Sequence, residues 1–200
     1  PPTTILRECD GHLLNAPNDL VFDSAGNFYF TDLGKTRGRV RDLGAVYYAS
    51  PEGSMIREVN FPMLGPNGCA LSPDEQTLYV AETHTSRLWA LPLVSPGVAA
   101  DRFVLATIPG RPPLNYARID SMCVDEAGNV LVGTLDHGGI TVVSPQGEVL
   151  FHEPTGDANV SMAAATWSAD RAAARSAPSE SRRTIVAGSV GADSPASSLA

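Results

Sequence analysis

The sequence predicts an all-β protein, an incomplete β-propeller of about three blades plus one stray strand. A unit of about 50 residues recurs three times, and short apolar runs with period-two alternation fill each unit. The 18 Gly and 16 Pro residues also imply many short elements joined by turns. No helical periodicity separates the runs, which excludes a parallel sheet with crossover helices. A β-sandwich is the alternative, but it does not readily explain why each unit opens with the same polar step.

Each unit begins with a polar opener, followed by an apolar strand, a turn and a second apolar strand. The openings read NDLVF, NGCAL and DSMCV, and they start at Asn18, Asn67 and Asp120. The turns DSAGN, SPDEQT and DEAGN follow, and then the runs FYFTD, LYVAE and VLVGT. Short antiparallel strands repeated with this period are typical of propeller blades.

The second half of the unit repeats as well. The stretch GAVYYASPEGSMIREV at 44–59 matches GGITVVSPQGEVLFHE at 138–153, and SRLWALPLVSPG at 86–97 is a looser copy. The shared S-P-x-G places Pro and Gly where a type I turn prefers them. The segment TILRE at 4–8 is similar to SMIRE at 54–58, so it predicts the outer strand of a preceding blade.

These repeats divide the chain into five segments. They are an outer strand of a missing blade at 1–14, blades at 15–60, 61–110 and 111–155, and an atypical tail at 156–200. Because propellers use about 4–8 blades, we expect a longer parent that has lost blades at its N-terminal end. The Ala/Ser-rich tail is interpreted either as disordered or as coding sequence read out of frame. The second interpretation is favoured because the alternation stops abruptly in mid-blade.

The amino-acid composition limits which binding partners and which location we expect for the protein. The net charge of −8 argues against nucleic acid and suits cations or neutral substrates. No apolar run approaches the ~20 residues of a membrane helix, so we expect no membrane partner and a cytoplasmic location. The cysteines Cys9, Cys69 and Cys123 are odd in number and widely spaced, which does not indicate a disulfide framework or a zinc site. Cys69 and Cys123 are predicted to be buried thiols.

The repeated openers predict a site on the propeller axis. The first strand of each blade lines the central channel, so Asn18, Asn67 and Asp120 should converge at one height. The second strands return to the same face and are expected to add Asp32, Glu82 and Thr134. Oxygen donors without thiolate favour Ca²⁺, Mg²⁺ or Mn²⁺ over zinc. The alternative is that the openers only cap loops, but three of them in register argue against it.

Three segments carry a family resemblance: LNAPNDLVFDSAGNFYFTD, GPNGCALSPDEQTLYVAE and RIDSMCVDEAGNVLVGT. They resemble the senescence-marker-protein/gluconolactonase (regucalcin-like) family over about residues 4–155. The resemblance implies a six-bladed β-propeller that carries a divalent metal in its axial channel and hydrolyses lactones. It implies Asn67 and Asp120 as metal ligands, Asn18 as a residue that contacts substrate or metal, and Ser121 as a further member of the metal shell. Asp120 also matches the proposed proton-transfer residue.

The chain departs from the family pattern at two positions. A first-blade Glu that binds the metal in the family would lie before Pro1. Sugar-lactone hydrolases of this type carry an Arg two residues before the position of Asn18, where this chain has Ala16. The second departure weakens the case for gluconolactone as the substrate.

The sequence therefore predicts a metal-dependent hydrolase that opens a lactone or a similar cyclic ester. Ca²⁺ is the expected cofactor, with Mg²⁺, Mn²⁺ and Zn²⁺ as alternatives. Asp120 is expected to take a proton from the attacking water. The predicted substrate-binding residues are Asn18, Asp19, His84 and His137. Either histidine could shuttle a proton, the alternative being an exposed loop histidine.

Two other functions stay open at this point. A non-catalytic propeller could bind a small ligand or a partner over its channel face, because a fold does not dictate a function. The chain could also be an inactive fragment of an enzyme. No G-x-S-x-G, P-loop or H-E-x-x-H motif indicates a serine hydrolase, a nucleotide site or a zinc protease.

Overall fold

A computed structural model describes residues 4–110, 112 and 117–156. The predicted tail at 156–200 lies outside the described residues, apart from Gly156. The described residues form strands and turns without a helix, so the all-β prediction is confirmed. They include no helical segment with the length and hydropathy that a membrane crossing needs. The strands are β1 (Glu8–Cys9), β2 (His12–Leu13), β3 (Pro17–Phe22), β4 (Phe28–Asp32), β5 (Thr36–Arg37), β6 (Val40–Arg41), β7 (Gly44–Ala49), β8 (Ile56–Met63), β9 (Pro66–Leu71), β10 (Thr77–Glu82), β11 (Arg87–Ser95), β12 (Val98–Ala99), β13 (Phe103–Thr107), β14 (Ile119–Val124), β15 (Val130–Thr134), β16 (Gly139–Val143) and β17 (Val149–Pro154).

Three antiparallel sheets follow one another along the chain. The first has the order β3-β4-β7-β8 and the third has the order β14-β15-β16-β17. The second joins β9, β10 and β11 in order, and β11 also pairs with β13 and with the short β12. The first strand of each sheet contacts the first strand of the next, β3 against β9 and β9 against β14. The sheets thus stand side by side with their first strands innermost, which is the arrangement of consecutive propeller blades.

Turn chemistry fixes the ends of these strands as the sequence predicts. In the two S-P-x-G turns, the Gly53 N–H donates to the Ser50 carbonyl at 3.0 Å and the Gly147 N–H donates to the Ser144 carbonyl at 2.9 Å. Both glycines adopt the left-handed region, with φ of 76° and 86°. Strand β8 runs on to Met63, beyond the predicted blade end at 60, because Met63 still pairs with Gly44.

A short hairpin of β1 and β2 stands at the position of the predicted stray strand. Residues 4–7 lie outside any strand, and the Leu14 N–H donates to the Arg7 carbonyl at 2.9 Å to close the hairpin. Cys9 from β1 packs in a cluster with Phe30, Ala45 and Tyr47. This N-terminal segment therefore covers the flank of the first sheet that faces away from the second.

Two larger hydrophobic clusters hold the three sheets together. Alternate residues of β10 divide between them: Leu78 and Val80 pack toward the first sheet, while Tyr79 and Ala81 pack toward the third. Strand side chains alternate in direction, so a central sheet can bury both faces. Burial of one such large apolar side chain contributes about 1.5–3 kcal/mol, and these contacts are the main source of stability.

None of the three cysteines forms a disulfide bond. Cys69 is buried between the first and second sheets, and burial raises the pKa of its thiol well above the ordinary value, with the Asp19 carboxylate adding to the effect. Cys123 is partly buried. The prediction of a buried thiol is confirmed for Cys69, and the pairing of these residues in disulfides is excluded.

The inner strands β9 and β14 approach closely at Gly68. A Cβ atom on Gly68 would lie 2.5 Å from the Asp120 carbonyl oxygen and 2.8 Å from the Met122 nitrogen. Both are backbone atoms and cannot rotate away, so only a residue without a side chain allows this contact. The close approach places the backbone of Asp120 directly beside the opener of the second sheet.

Gly68→Ala should therefore lower the free energy of unfolding by about 3 kcal/mol, because the two inner strands must separate to admit the methyl group. Urea denaturation followed by circular dichroism measures this loss. Gly38→Ala is the control: nothing lies within 4 Å of its added Cβ, and only its φ of +57° causes strain. That control should lose about 1 kcal/mol. Equal losses in the two variants would contradict a tight contact at Gly68.

Candidate functional site

The same β-bulge recurs where each inner strand carries its opener. In every sheet the pairing of the first two strands shifts between the residue before the opener and the residue two positions after it. Two residues of the inner strand therefore face one residue of its partner. The bulged pairs are Asn18-Asp19, Asn67-Gly68 and Asp120-Ser121. Bulges re-aim side chains and are common beside functional sites, so the openers are equivalent in register and in backbone geometry.

The structure brings Asn67 and Asp120 together. Asn67 is 7 % exposed, and its side chain lies close enough to the Asp120 carboxylate to lower the pKa of that group. The amide oxygen Oδ1 of Asn67 is buried and accepts no hydrogen bond from the part of the chain that the structure describes. A buried acceptor without a donor is unfavourable. A hydrogen-bond donor or a cation beside the Asn67 Oδ1 would remove this cost.

Burial raises the pKa of the Asp120 carboxyl. The hydrogen bonds from the Asn67 side chain and the Ser121 backbone act in the opposite direction. The charge of Asp19 adds to the rise, whereas that of Arg118 opposes it. Asp120 is thus a partly buried carboxylate, and the charge of the Asp19 carboxylate further raises its pKa.

Asp19 supplies the inward carboxylate of the first sheet. Its oxygens accept hydrogen bonds from the N–H groups of Leu20 at 2.9 Å and Cys69 at 3.4 Å, and burial raises its pKa. Asn18 occupies the register position of Asn67 and Asp120, but it is exposed. In the first bulge the second residue, Asp19, contacts the next sheet, because its carboxylate accepts from the Cys69 N–H. A role for Asn18 in binding stays a prediction.

Ser121 shares the bulge of Asp120 and is half-buried. Its Cα lies at the contact with the second sheet, 2.8 Å from the position of a Cβ on Gly68. The structure therefore places Ser121 beside the paired Asn67 and Asp120. Its participation in a metal shell stays a prediction.

Asp32 and Glu82 do not add free carboxylates to this group. Asp32 is buried, and its two oxygens accept hydrogen bonds from the N–H groups of Asn15 and Ala16. Glu82 is 2 % exposed and accepts from the Leu64 N–H at 2.8 Å and the Thr85 hydroxyl at 2.5 Å. Each carboxylate thus fastens the loop that leads into the inner strand of its own sheet. The expectation that they contribute to the axial site is wrong.

Thr134 ends the second strand of the third sheet in a similar structural role. Its hydroxyl donates to the Gly139 carbonyl at 2.8 Å, and the residue is fully buried. In the third sheet Asp136 holds the corresponding loop, because its carboxylate accepts two guanidinium hydrogen bonds from Arg118 at 3.0 and 2.9 Å. The Arg118 hydrogen bonds lower the pKa of Asp136.

The two predicted histidines lie in different surroundings. His84 is exposed as a residue, yet partial burial of its ring and the charges of Arg41 and Arg118 lower its pKa. The His137 ring stands edge-on to His152, with 5.1 Å between ring centroids. His137 thus faces the outer strand β17, whereas His84 lies beside the connection that enters β9. Substrate contacts by either residue stay a prediction.

Sequence reasoning missed Arg118. It stands two residues before Asp120, the same offset at which Ala16 precedes Asn18, so comparison of the copies could have found it. It also missed Arg41, whose Nη1 lies near Gly65. Arg41 belongs to the connection between β4 and β7, and the other two units offered no equivalent position to compare.

The donor chemistry of the paired openers fits a hard divalent cation. Asp120 offers a carboxylate, Asn67 an unpaired amide oxygen, and Asp19 a second carboxylate close enough to raise the pKa of Asp120. Calcium accepts carboxylate and amide oxygens at about 2.3–2.6 Å. Within residues 4–110, 112 and 117–156, no group of three or more His, Cys, Asp or Glu side chains could hold a metal. An ion here would need ligands beyond the side chains that these residues bring together.

Comparison with known proteins assigns the architecture. The model of the SMP-30/gluconolactonase/LRE-like region matches residues 2–170. A lactonase drp35 from Staphylococcus saprophyticus is 40% identical over 139 residues, which are 67% of this chain and 41% of that relative. A lactonase drp35 from Staphylococcus epidermidis is 38% identical over 131 residues, 65% of this chain and 39% of the relative. The chain thus spans about two fifths of the length of these curated relatives.

Solved structures agree with the sequence relatives. A gluconolactonase from Xanthomonas campestris superposes with a TM-score of 0.63 at 29% identity, over 78% of this chain and 52% of that one. A calcium-binding regucalcin from Agrobacterium tumefaciens gives a TM-score of 0.59 at 17% identity, over 72% of this chain and 47% of that one. The second likeness concerns the fold alone. Together they confirm the incomplete propeller.

Glu82→Ala should lower the free energy of unfolding by about 3 kcal/mol, because a backbone N–H and a hydroxyl lose their acceptor in a buried place. The loss should be the same with and without Ca²⁺. Glu126→Ala removes an exposed turn carboxylate from the third sheet and should leave stability unchanged. Chemical denaturation of the three proteins, in chelator and in calcium, measures both effects. A loss that appears only in calcium would show that Glu82 is a metal ligand after all.

Proposed function

Because the chain belongs to the SMP-30/gluconolactonase/LRE-like family, we propose that it carries part of a site that hydrolyses lactones with a divalent cation. One observation supports this above the others: the Oδ1 of Asn67 is buried and has no hydrogen-bond partner among the described residues, in a side chain that lies beside the Asp120 carboxylate. A buried acceptor without a donor lowers the stability of the folded protein, so it is not expected at a residue with a purely structural role. It is expected where a cation completes the site.

Asn67 and Asp120 would hold the cation, with Asp19, Asn18 and Ser121 as further candidates from neighbouring bulges. The oxygen donors favour Ca²⁺, and the regucalcin from Agrobacterium tumefaciens is described as calcium-binding. Mg²⁺, Mn²⁺ and Zn²⁺ are the alternatives. Calcium takes 6–8 oxygen ligands, so water, substrate and other parts of the parent protein would supply the rest.

The chemistry that such a cation supplies when bound is polarisation of the lactone carbonyl and stabilisation of the charge that develops on its oxygen. Asp120 would accept a proton from the attacking water at a carboxylate oxygen. The close contact at Gly68 fixes the backbone of Asp120 and would hold its carboxylate in one orientation. Orientation of this kind is itself a catalytic contribution, because the water must approach the carbonyl within about 3–3.5 Å.

The substrate would lie over the same end of the sheets, where the inner strands begin and the second strands end. Asn18 is exposed there and can contact a ligand, and the next residue, Asp19, is half-buried. His84 lies at the same end, beside the loop that leads into β9, where a neutral imidazole can accept or return a proton. Of the relatives, two are named lactonase and one gluconolactonase, which supports a small cyclic ester as the substrate class.

Asp120→Asn should reduce hydrolysis of a lactone panel by about 100-fold or more, because the amide cannot accept the proton from water. The measurement is kcat/KM by a pH-indicator assay, in calcium and after chelation. Asp101→Asn is the control, since Asp101 is an exposed carboxylate at the start of the outer part of the second sheet. It should retain full activity.

Chelation should abolish the activity of the unmodified chain, and added Ca²⁺ should restore it. Full activity of Asp120→Asn would overturn the assignment of the base. A chain that binds Ca²⁺ but hydrolyses no lactone would instead support a non-catalytic binding module.

A further inference from the structure

Three basic side chains reach the same end of the sheets from three separate connections. Arg41 closes the small β5-β6 ribbon between β4 and β7, His84 lies in the turn between β10 and β11, and Arg118 directly precedes β14. This is also the end at which the openers Asn67 and Asp120 stand, because both inner strands begin there. The basic groups therefore border the proposed cation site rather than an unrelated surface.

Arg41 and His84 meet over Gly65, two residues before Asn67. A Cβ atom on Gly65 would lie 2.4 Å from the His84 Cδ2 and 3.3 Å from the Arg41 Nη1. The absence of a side chain at Gly65 thus leaves room for the imidazole and the guanidinium to approach the backbone together. The geometry places a guanidinium and an imidazole side by side at the entrance to β9.

Arg118 lies at the same end of the third sheet, directly before β14. Burial lowers the pKa of His84 most, and the positive charges of Arg41 and Arg118 lower it further, each by more than the Glu82 charge raises it. Burial raises the pKa of Asp120, and the charge of Arg118 opposes this rise. His84 therefore lies within the field of two guanidinium groups, and one of these also acts on the axial carboxylate.

Two acidic neighbours of this group are already engaged. Asp136 receives two hydrogen bonds from Arg118, and the two oxygens of Glu82 accept from Leu64 and Thr85. Arg41 differs: its Nη1 is buried and has no hydrogen-bond partner among the described residues. A buried guanidinium nitrogen without an acceptor is unfavourable, and an anion that entered beside it would remove this cost.

We propose that Arg41, His84 and Arg118 form an anion-binding subsite that selects a lactone bearing a carboxylate substituent. The inference rests on the proposed lactone hydrolysis and specifies its substrate class. The guanidinium of Arg41 donates to the carboxylate, the imidazole of His84 adds a donor, and Arg118, held by Asp136, borders the subsite from the third sheet. The ring of the lactone then extends from this subsite toward Asn67 and Asp120.

Binding of two matched rings tests the subsite without requiring turnover. Tetrahydrofuran-2-carboxylate and 2-methyltetrahydrofuran differ only in the charged group, and ligand-observed NMR with the full chain gives both affinities. The carboxylate ring should bind about tenfold more tightly, and Arg41→Gln should remove this preference. Arg41→Lys keeps the positive charge but lacks the planar guanidinium, so it should retain part of the preference for the carboxylate ring. Arg39→Gln, an exposed arginine on the same ribbon, should retain all of it.

Hydrolysis of the corresponding lactones links the subsite to the activity. The ratio of kcat/KM for γ-carboxy-γ-butyrolactone over γ-valerolactone should exceed one and fall about tenfold in Arg41→Gln. If neither lactone reacts but the carboxylate ring still binds in an Arg41-dependent way, the subsite stands and the proposed hydrolysis fails.

Three results would overturn the subsite. They are equal affinity for the two rings, an equal loss of preference in Arg39→Gln, and binding of free acetate as tightly as the ring carboxylate. Thermal melting of each variant shows whether a lost preference comes from unfolding. If Arg41→Gln is unfolded, the subsite is tested by the affinity ratio of the two rings for Arg41→Lys, which should lie between one and the ratio for the unmodified chain.

Discussion

The repeated β-bulge at the start of each inner strand is the constraint on which the candidate site is built. A regular strand would send successive side chains to opposite faces and bury each opener in a cluster between sheets. The bulge inserts one residue, so the pairs Asn67-Gly68 and Asp120-Ser121 turn out of the ladder. Gly68 then lets the two inner strands touch backbone to backbone, which carries Asn67 to the Asp120 carboxylate. The hydrophobic clusters between the sheets supply the stability that holds these polar groups in place.

Buried polar groups at this end of the sheets divide into two kinds. Asp32 and Glu82 are satisfied by loop N–H and hydroxyl donors, so they stabilise the entries to the inner strands. Asn67 Oδ1 and Arg41 Nη1 are buried without a protein partner in the described part of the chain. One is an acceptor beside a carboxylate and the other is a cationic donor. A cation at the first and an anionic substituent at the second would satisfy both, which is why we propose a charged lactone above the axis.

Repetition made the fold predictable from sequence, since three copies of one strand pattern reveal the unit, its turns and the position of the openers. The same repetition predicted that Asn67 and Asp120 are equivalent, and the bulges confirm the register. It could not predict that the Asp19 carboxylate bonds to the Cys69 N–H of the next sheet, because the direction of a side chain within a bulge depends on local backbone twist. Nor could it separate the carboxylates that fasten loops from those that remain available. Hydrogen bonds such as that from Leu64 to Glu82 join residues whose proximity only the folded structure shows.

Crystals of the chain grown with Mn²⁺ test the proposed cation site most directly, because manganese prefers the same oxygen ligands and gives anomalous scattering. We expect an anomalous peak within about 2.5 Å of both the Asn67 Oδ1 and an Asp120 carboxylate oxygen. A peak elsewhere, with Asn67 Oδ1 accepting a hydrogen bond from the protein instead, would contradict a metal centre on this axis.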